Sequence, residues 1–435
     1  MEKEEKPPKK ASSVRHTRAI ALDRSKRPTI APPPEEIEQL LAEVVQPNTF
    51  SLIRLYQEMG LRARTLTLPV MLAFVLSLIW RQIGAVSEAV RVIKQEGMLW
   101  QPPIRVTQQA ISQRLREMPA ALFEAVLNEV LPLMHQRWRQ RQRPLPPELQ
   151  RVLAHFSRVA AVDGSTLDAL IKKTGLLREI EGSVLAGKMM GLLDVASQLP
   201  LKIWYGENSA AHDQSWWEAI IETLETESLT LFDLGFVNYG RYRQLTVEHK
   251  YFVTRVKSRM DYRVVQALTN EEGVREWLIA VGSKEEKSEQ VLRLVAVEWE
   301  GKSYCYLSNV LERSRLTGAT IAYLYRQRWR IEEAFKVVKR QLGLAYFHAG
   351  SINAICLQVW ATWLLYCVLI DLTDSVAEEL KQPFKAISVE MVYRGLYHYS
   401  QALKRGETLS VSQYLAQNAK LLGIVKRPSK RPLLI

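Results

Sequence analysis

The sequence predicts an α/β chain: an all-helical amino-terminal region, a mixed sheet with crossing helices, and a small helical tail. Three observations lead there. Residues 35–142 carry helical periodicity and no strand-like run. Two short apolar runs, Val159–Val162 and Leu229–Phe232, each deliver an aspartate and then meet a glycine, as Asp163-Gly164 and Asp233-Leu234-Gly235. Finally, Ile321–Gly343 reads as one proline-free helix of about six turns, with Leu324, Ile331, Phe335, Val338 and Leu342 on a single apolar stripe.

A chain of 435 residues has room for two or three domains and a sizeable core. Its 59 Lys and Arg against 46 Asp and Glu give a formal net charge of +13. Such an excess suits a polyanion partner, most simply nucleic acid. Cys305, Cys356 and Cys367 form no CxxC pair, which predicts a reducing, cytoplasmic compartment and no structural zinc. Met1–Lys10 is charged and no apolar core follows it, so no signal peptide is expected. The two most apolar stretches, Leu68–Trp80 and Ile355–Leu369, fall short of the roughly 20 residues of a membrane span. Both are expected as buried helices, with no membrane partner.

Taken in order, residues 1–35 read as a disordered basic tail that either contacts DNA phosphates or simply solubilises. Residues 36–145 read as a helical DNA-binding domain. Within it, Val106–Arg116 has Thr107 as a cap, an inward Ala110, Ile111 and Leu115, and an outward face that includes Gln109, Gln113 and Arg114. Such a face suits base-edge and phosphate contact, or equally an ordinary solvated helix. Arg137–Arg143 is a denser basic run containing Arg139, suited to phosphates, and Pro144, Pro146 and Pro147 mark a linker.

The domain expected at 150–375 opens with the Asp163 strand, which Gly164 is expected to end. Strands at Lys188–Val195 and Leu201–Tyr205, a helix at Gln214–Leu224, the Asp233 strand and a strand at Tyr251–Lys257 follow. Three strands, a helix, a strand, a helix and a strand is the order of a ribonuclease-H-like fold. There the first and fourth strands lie side by side, so Asp163 and Asp233 could meet at one sheet edge. Each could instead merely cap a turn. The stretch up to Ile321 is too long for a bare fold of this kind, which predicts a β-rich insertion at about 260–315. Its strand-like runs are Trp277–Val281, Val291–Glu298 and Tyr304–Asn309, around a charged loop at 282–290. Residues 376–435 are expected as a helical carboxy-terminal region with a basic end.

At about 100° per residue, Tyr325, Arg328, Trp329, Glu332, Lys336 and Lys339 fall within an arc of roughly 100° beside the apolar stripe of Ile321–Gly343. Tyr325-x2-Arg328-x3-Glu332-x6-Lys339 resembles the YREK signature of the DDE transposases of insertion sequence family four, and RWRIEEAFK around it fits too. An ordinary surface helix laced with i, i+4 ion pairs is the plain alternative.

The resemblance covers residues 150–344. It implies that Asp163, Asp233 and Glu332 are catalytic and hold two Mg²⁺ ions, with Mn²⁺ as a substitute and Asp163 bridging. Tyr325, Arg328 and Lys339 would then grip the DNA backbone; Lys336 lies on the same edge, and Trp329 would stack on DNA or bury. It further implies cut-and-paste transposition. Double-stranded DNA would be the partner, as element terminal inverted repeats and as target, in a synaptic homodimer. Trp299, in the insertion, is a candidate for packing on a flipped base, or a plain sheet-edge aromatic. The absence of a local His or Cys cluster agrees with a hard-ion oxygen site. A nuclease of the same fold that cuts without joining, or a domesticated DNA-binding descendant, is the alternative function; three intact acids speak against the latter.

Overall fold

The computed structural model describes residues 35–61, 64–168, 170–173, 176–179, 185–256, 260–271, 273–282, 289–344 and 347–427. The basic tail of residues 1–34, most of the charged loop at 282–290 and the basic end beyond Arg427 lie outside the described residues.

Among the described residues eight helices come first: α1 (Glu35–Val44), α2 (Gln46–Ser51), α3 (Ile53–Glu58), α4 (Leu68–Trp80), α5 (Val86–Gln95), α6 (Gln108–Glu117), α7 (Ala121–Gln140) and α8 (Pro147–Leu153). The cap expected for α6 is present, since the Ala110 amide donates to Thr107 Oγ1 at 3.1 Å. Pro147, expected in the linker, instead opens a helix over Pro147–Leu153, because proline suits the first helical position, where no amide is needed.

The sheet follows. Its strands are β1 (Arg158–Asp168), β4 (Leu185–Asp194), β5 (Pro200–Gly206), β6 (Ser228–Phe232) and β7 (Tyr251–Arg255), with a separate ribbon of β2 (Leu170–Lys173) and β3 (Leu176–Glu179). Helices α9 (Trp217–Thr223) and α10 (Tyr239–Val247) make the crossovers on either side of β6. The order β5-β4-β1-β6-β7 sets β1 beside β6, in parallel, as the sequence suggested. Gly164 does not end β1: the strand runs on to Asp168, pairing Gly164 with Met190 and Thr166 with Lys188. Glycine is needed there for space, because a Cβ would stand 2.5 Å from Asp213 Oδ1.

The β-rich stretch contains one strand more than expected, β8 (Arg263–Glu271), before β9 (Val274–Val281), β10 (Gln290–Trp299) and β11 (Lys302–Ser308). All four continue the same sheet past β7 through β11. Trp299 ends β10, paired with Lys302 and half-buried.

The six-turn helix is not one α-helix. It is α11 (Gly318–Gln327), a tight turn at Arg328, α12 (Trp329–Lys336) and a π-helical turn over Val337–Gln341. At the turn the hydrogen bonds are three residues long, Arg328 to Tyr325 and Ile331 to Arg328. Hydrophobic periodicity does not register such a local change of winding, because the stripe survives it: Leu324, Ile331, Phe335, Val338 and Leu342 are all buried. α13 (Ile352–Glu379) extends through the boundary expected at 375–376, since Val376 and Ala377 are buried and no breaker precedes them. α14 (Val389–Leu403) and α15 (Val411–Gln417) complete the chain.

α13 is long and apolar enough to cross a membrane, yet its most apolar window is 94% buried within the fold. It is the central core helix. α4 and α7 pack directly on it, so the amino-terminal helices and the sheet share one continuous apolar core. Polar contacts reinforce the junction. Arg137 and Arg141 pair with Asp371 at 2.9 and 2.7 Å, Arg141 reaches Glu378 at 3.3 Å, and Arg143 pairs with the buried Asp374. The basic run at 137–143 is therefore mainly a latch onto α13, and Arg139 alone among its arginines is exposed.

Candidate active site

Three elements bring three acids together. In the parallel β1–β6 pair Ala161 lies opposite Leu231. Asp163 stands two positions further along β1, and Asp233 two positions further on, just past the end of β6. Glu332 comes from α12, which packs against β4 at Gly191, the residue paired with Asp163. A Cβ on Gly191 would sit 3.3 Å from Ile331 Cδ1 and Phe335 Cζ, so its lack of a side chain sets how closely Glu332 approaches the sheet. Gly191→Ala is expected to push α12 outward by a few tenths of an ångström. Any chemistry at the acids should slow by about tenfold, given the sensitivity of catalysis to placement. The unfolding midpoint should hold; an equal loss in stability would show a general folding defect instead.

Arg328 lies at the centre of these acids. Its guanidinium donates from Nη2 to Glu332 Oε1 at 2.8 Å and from Nη1 to Asp163 Oδ2 at 3.3 Å, and stands 3.8 Å from Asp233 Oδ1. The residue is only 6% exposed, and its Nε has no hydrogen-bond partner. Burial pushes the Asp163 carboxyl up to about 6; Arg328 and the Gly164 amide pull it down, while Glu332 and Asp233 push it further up. A carboxyl raised on folding favours the fold below its ordinary range, and that contribution is lost as pH rises through about 6.

The remaining residues of the helix edge lie around this centre. Tyr325 is buried, its hydroxyl donates to Asp233 Oδ1 at 3.4 Å, and burial pushes its ionisation up to about 12, so it acts as a phenol donor. Lys339 donates to the Thr166 carbonyl on the extended part of β1. Trp329 is 60% exposed, with the Arg328 guanidinium carbon 5.8 Å from its ring. Lys336 is exposed on the far side, at a small cleft that includes Glu333 and Lys426. Beside Gly164 sits a pair that the sequence did not reveal: Lys188 Nζ and Asp213 Oδ1, 2.6 Å apart. Only the β1–β4 register brings Lys188 there, so no local motif announces it.

On α6, Gln109 is exposed and Gln113 is exposed with its amide donating to Glu117 at 3.0 Å. Arg114 is half-buried instead, donating to the Leu66 carbonyl at 3.0 Å and to the Tyr56 hydroxyl. A cleft of about 870 Å³ opens beside them, lined by Arg64, Lys94, Arg105, Arg114 and Glu117 among others. Arg64, Lys94 and Arg105 are all exposed. Arg139 lies apart from this cleft, on α7.

All three acids offer oxygen donors, the chemistry a hard divalent ion requires. As they stand, no three acidic, His or Cys groups among the described residues are clustered closely enough to hold an ion. The Arg328 guanidinium lies between them.

Residues 156–368 match the family described as transposase DDE domain. A Sinorhizobium fredii protein provisionally named transposase y4zB is 28% identical over 34% of this chain and 43% of its own length. A Synechocystis protein named, also provisionally, as the transposase for insertion sequence element IS4SA is 25% identical over 42% of this chain and 52% of its own. The chain spans about half the length of the curated relatives it matches. A solved piggyBac transposase synaptic complex with hairpin DNA is similar at a TM-score of 0.39 and 12% identity, over 90% of this chain and 84% of that one. The segment that matches the transposase DDE domain family contains Asp163, Asp233 and Glu332 together.

Proposed function

We propose that this chain is an insertion-sequence transposase of the YREK branch, built on a ribonuclease-H-like core, which cleaves DNA at element ends and joins those ends to target DNA. The observation that carries this is that Asp163 on β1, Asp233 just past the parallel β6 and Glu332 on α12 all surround the Arg328 guanidinium. The β5-β4-β1-β6-β7 order supports the core assignment. Asp163, Asp233 and Glu332 would hold divalent ions, Mg²⁺ by donor chemistry or Mn²⁺ in its place. Such ions activate the attacking water or hydroxyl and offset charge at the scissile phosphate.

The chain's own residues do the rest. The Tyr325 hydroxyl orients Asp233 by its hydrogen bond. Arg328 offers a planar fork suited to a phosphate, and Lys339 a point charge next to β1. The exposed Trp329 ring presents a stacking surface at the mouth of the site. The helices at 35–153 supply the DNA-reading surface, through Gln109 and Gln113 on α6 and the basic cleft beside them. Terminal inverted repeats and target duplex are the DNA partners, two copies of the chain pair the ends, and the cytoplasm is the place of action.

The full chain, a duplex carrying the element's end, a target plasmid and Mg²⁺ make the test. Nicked ends and joined products are expected. Nicking without joining would identify a nuclease, and no metal-dependent cutting would overturn the proposal. The cleft has its own test. Replacing Arg64, Lys94 and Arg105 together by Ala should lower end affinity and reduce the slope of log affinity against log salt by about 2 to 3, since each phosphate neutralised contributes about 0.9. Fluorescence anisotropy across a salt series reads the slope, and an unchanged slope would remove the cleft from the interface.

A further inference from the structure

Arg328 occupies the place where the acids converge. Its fork spans Asp163 and Glu332, and Asp233 stands 3.8 Å away. A divalent ion bound by those acids would lie within about 4 Å of the guanidinium, where like charges in a partly buried site repel strongly. Occupation of the acids by this arginine and by a cation therefore compete. The site opens toward Asp233 and the exposed Trp329, and the Tyr325 and Trp329 rings lie 5.9 and 5.8 Å from the guanidinium carbon. A phosphate arriving at that mouth would offer the fork two oxygens of the same geometry as a carboxylate.

We propose that Arg328 couples cation loading to DNA engagement, holding the three acids when no phosphate is present and releasing them to a divalent ion when a DNA phosphate takes over its donors. The inference rests on the metal-site reading above and goes beyond it, because the same three acids could bind ions equally well with or without DNA. Its physical content is a linkage. If DNA strengthens cation binding by some factor, the cation strengthens DNA binding by that factor, and the coupling disappears with the residue that carries it.

The probe is Mn²⁺, followed by paramagnetic resonance on the full-length protein, with and without end duplex and corrected for Mn²⁺ held by duplex alone. Wild type should bind Mn²⁺ about tenfold more tightly when DNA is bound, and DNA about tenfold more tightly when Mn²⁺ is present. Arg328→Gln should bind Mn²⁺ about tenfold more tightly than wild type without DNA, and its coupling should fall close to one. Arg328→Lys keeps the charge but not the fork, so its DNA-free Mn²⁺ affinity should stay low while its coupling also weakens. Circular dichroism checks that each variant is folded. DNA-free Mn²⁺ affinity unchanged in folded Arg328→Gln, or coupling undiminished in it, would overturn the inference. Mn²⁺ binding that survives in both Asp163→Asn and Glu332→Gln would instead overturn the metal-site reading itself.

Discussion

Asp163→Asn, Asp233→Asn and Glu332→Gln are each expected to lower metal-dependent cleavage by on the order of a thousandfold, with end binding kept within a few-fold. The size follows from the several kcal/mol of transition-state stabilisation that bound ions supply, at tenfold per 1.4 kcal/mol. The selectivity follows from position. The acids lie on β1, after β6 and on α12, whereas the basic cleft is lined by residues 64–117. Each change is also gentle on the fold, because Arg328 keeps its contacts with the remaining acids. Single-turnover cleavage beside an anisotropy titration separates the two effects. A variant that cuts at the wild-type rate would remove its residue from the site.

The largest expected loss of stability lies elsewhere, at Glu276 and Arg293. Arg293, fully buried on β10, donates from Nε to Glu276 on β9 at 2.9 Å and from Nη1 to the Leu316 carbonyl at 2.6 Å. The Leu316 carbonyl sits just before α11, and Gly318 at the start of that helix approaches Glu276 so closely that a Cβ would meet its Oε1 at 2.7 Å. The pair thus fastens the added strands to the segment that delivers Tyr325, Arg328 and Glu332. Glu276→Leu would strand a buried charge and should cost about 3 to 5 kcal/mol. The double replacement Glu276→Leu with Arg293→Met should recover much of that loss, since apolar side chains of similar size avoid the desolvation cost. Denaturant midpoints of the wild type and the two variants provide the measurement. A Glu276→Leu protein as stable as wild type would show that the pair does not fasten these elements.

Local pattern carried much of the fold. β1 and β6 were legible because apolar runs ending in Asp and Gly are short-range signals, and the Leu324–Leu342 stripe was legible because burial repeats with the helix. What escaped detection depends on distant partners. Arg328 shares an edge with Glu332 in sequence, but its contacts with Asp163 and Asp233 arise only once β1 and β6 pair. Likewise, Arg137, Arg141 and Arg143 look like a phosphate-binding run until α13 presents Asp371, Asp374 and Glu378 to them. The π-helical turn and β8 escaped for a different reason: one extra residue per turn, or a strand of mixed polarity, barely disturbs a hydrophobic pattern.

A fragment ending near residue 145 would lose α13, and with it the cover over α4 and α7 and the acids that pair with Arg137, Arg141 and Arg143. The face of Leu68–Trp80 that packs on α13 would be open to water. Such a product is expected to aggregate or be degraded before it can occupy an end. An interrupted copy of the gene would then be silent, not a dominant inhibitor of its intact neighbours.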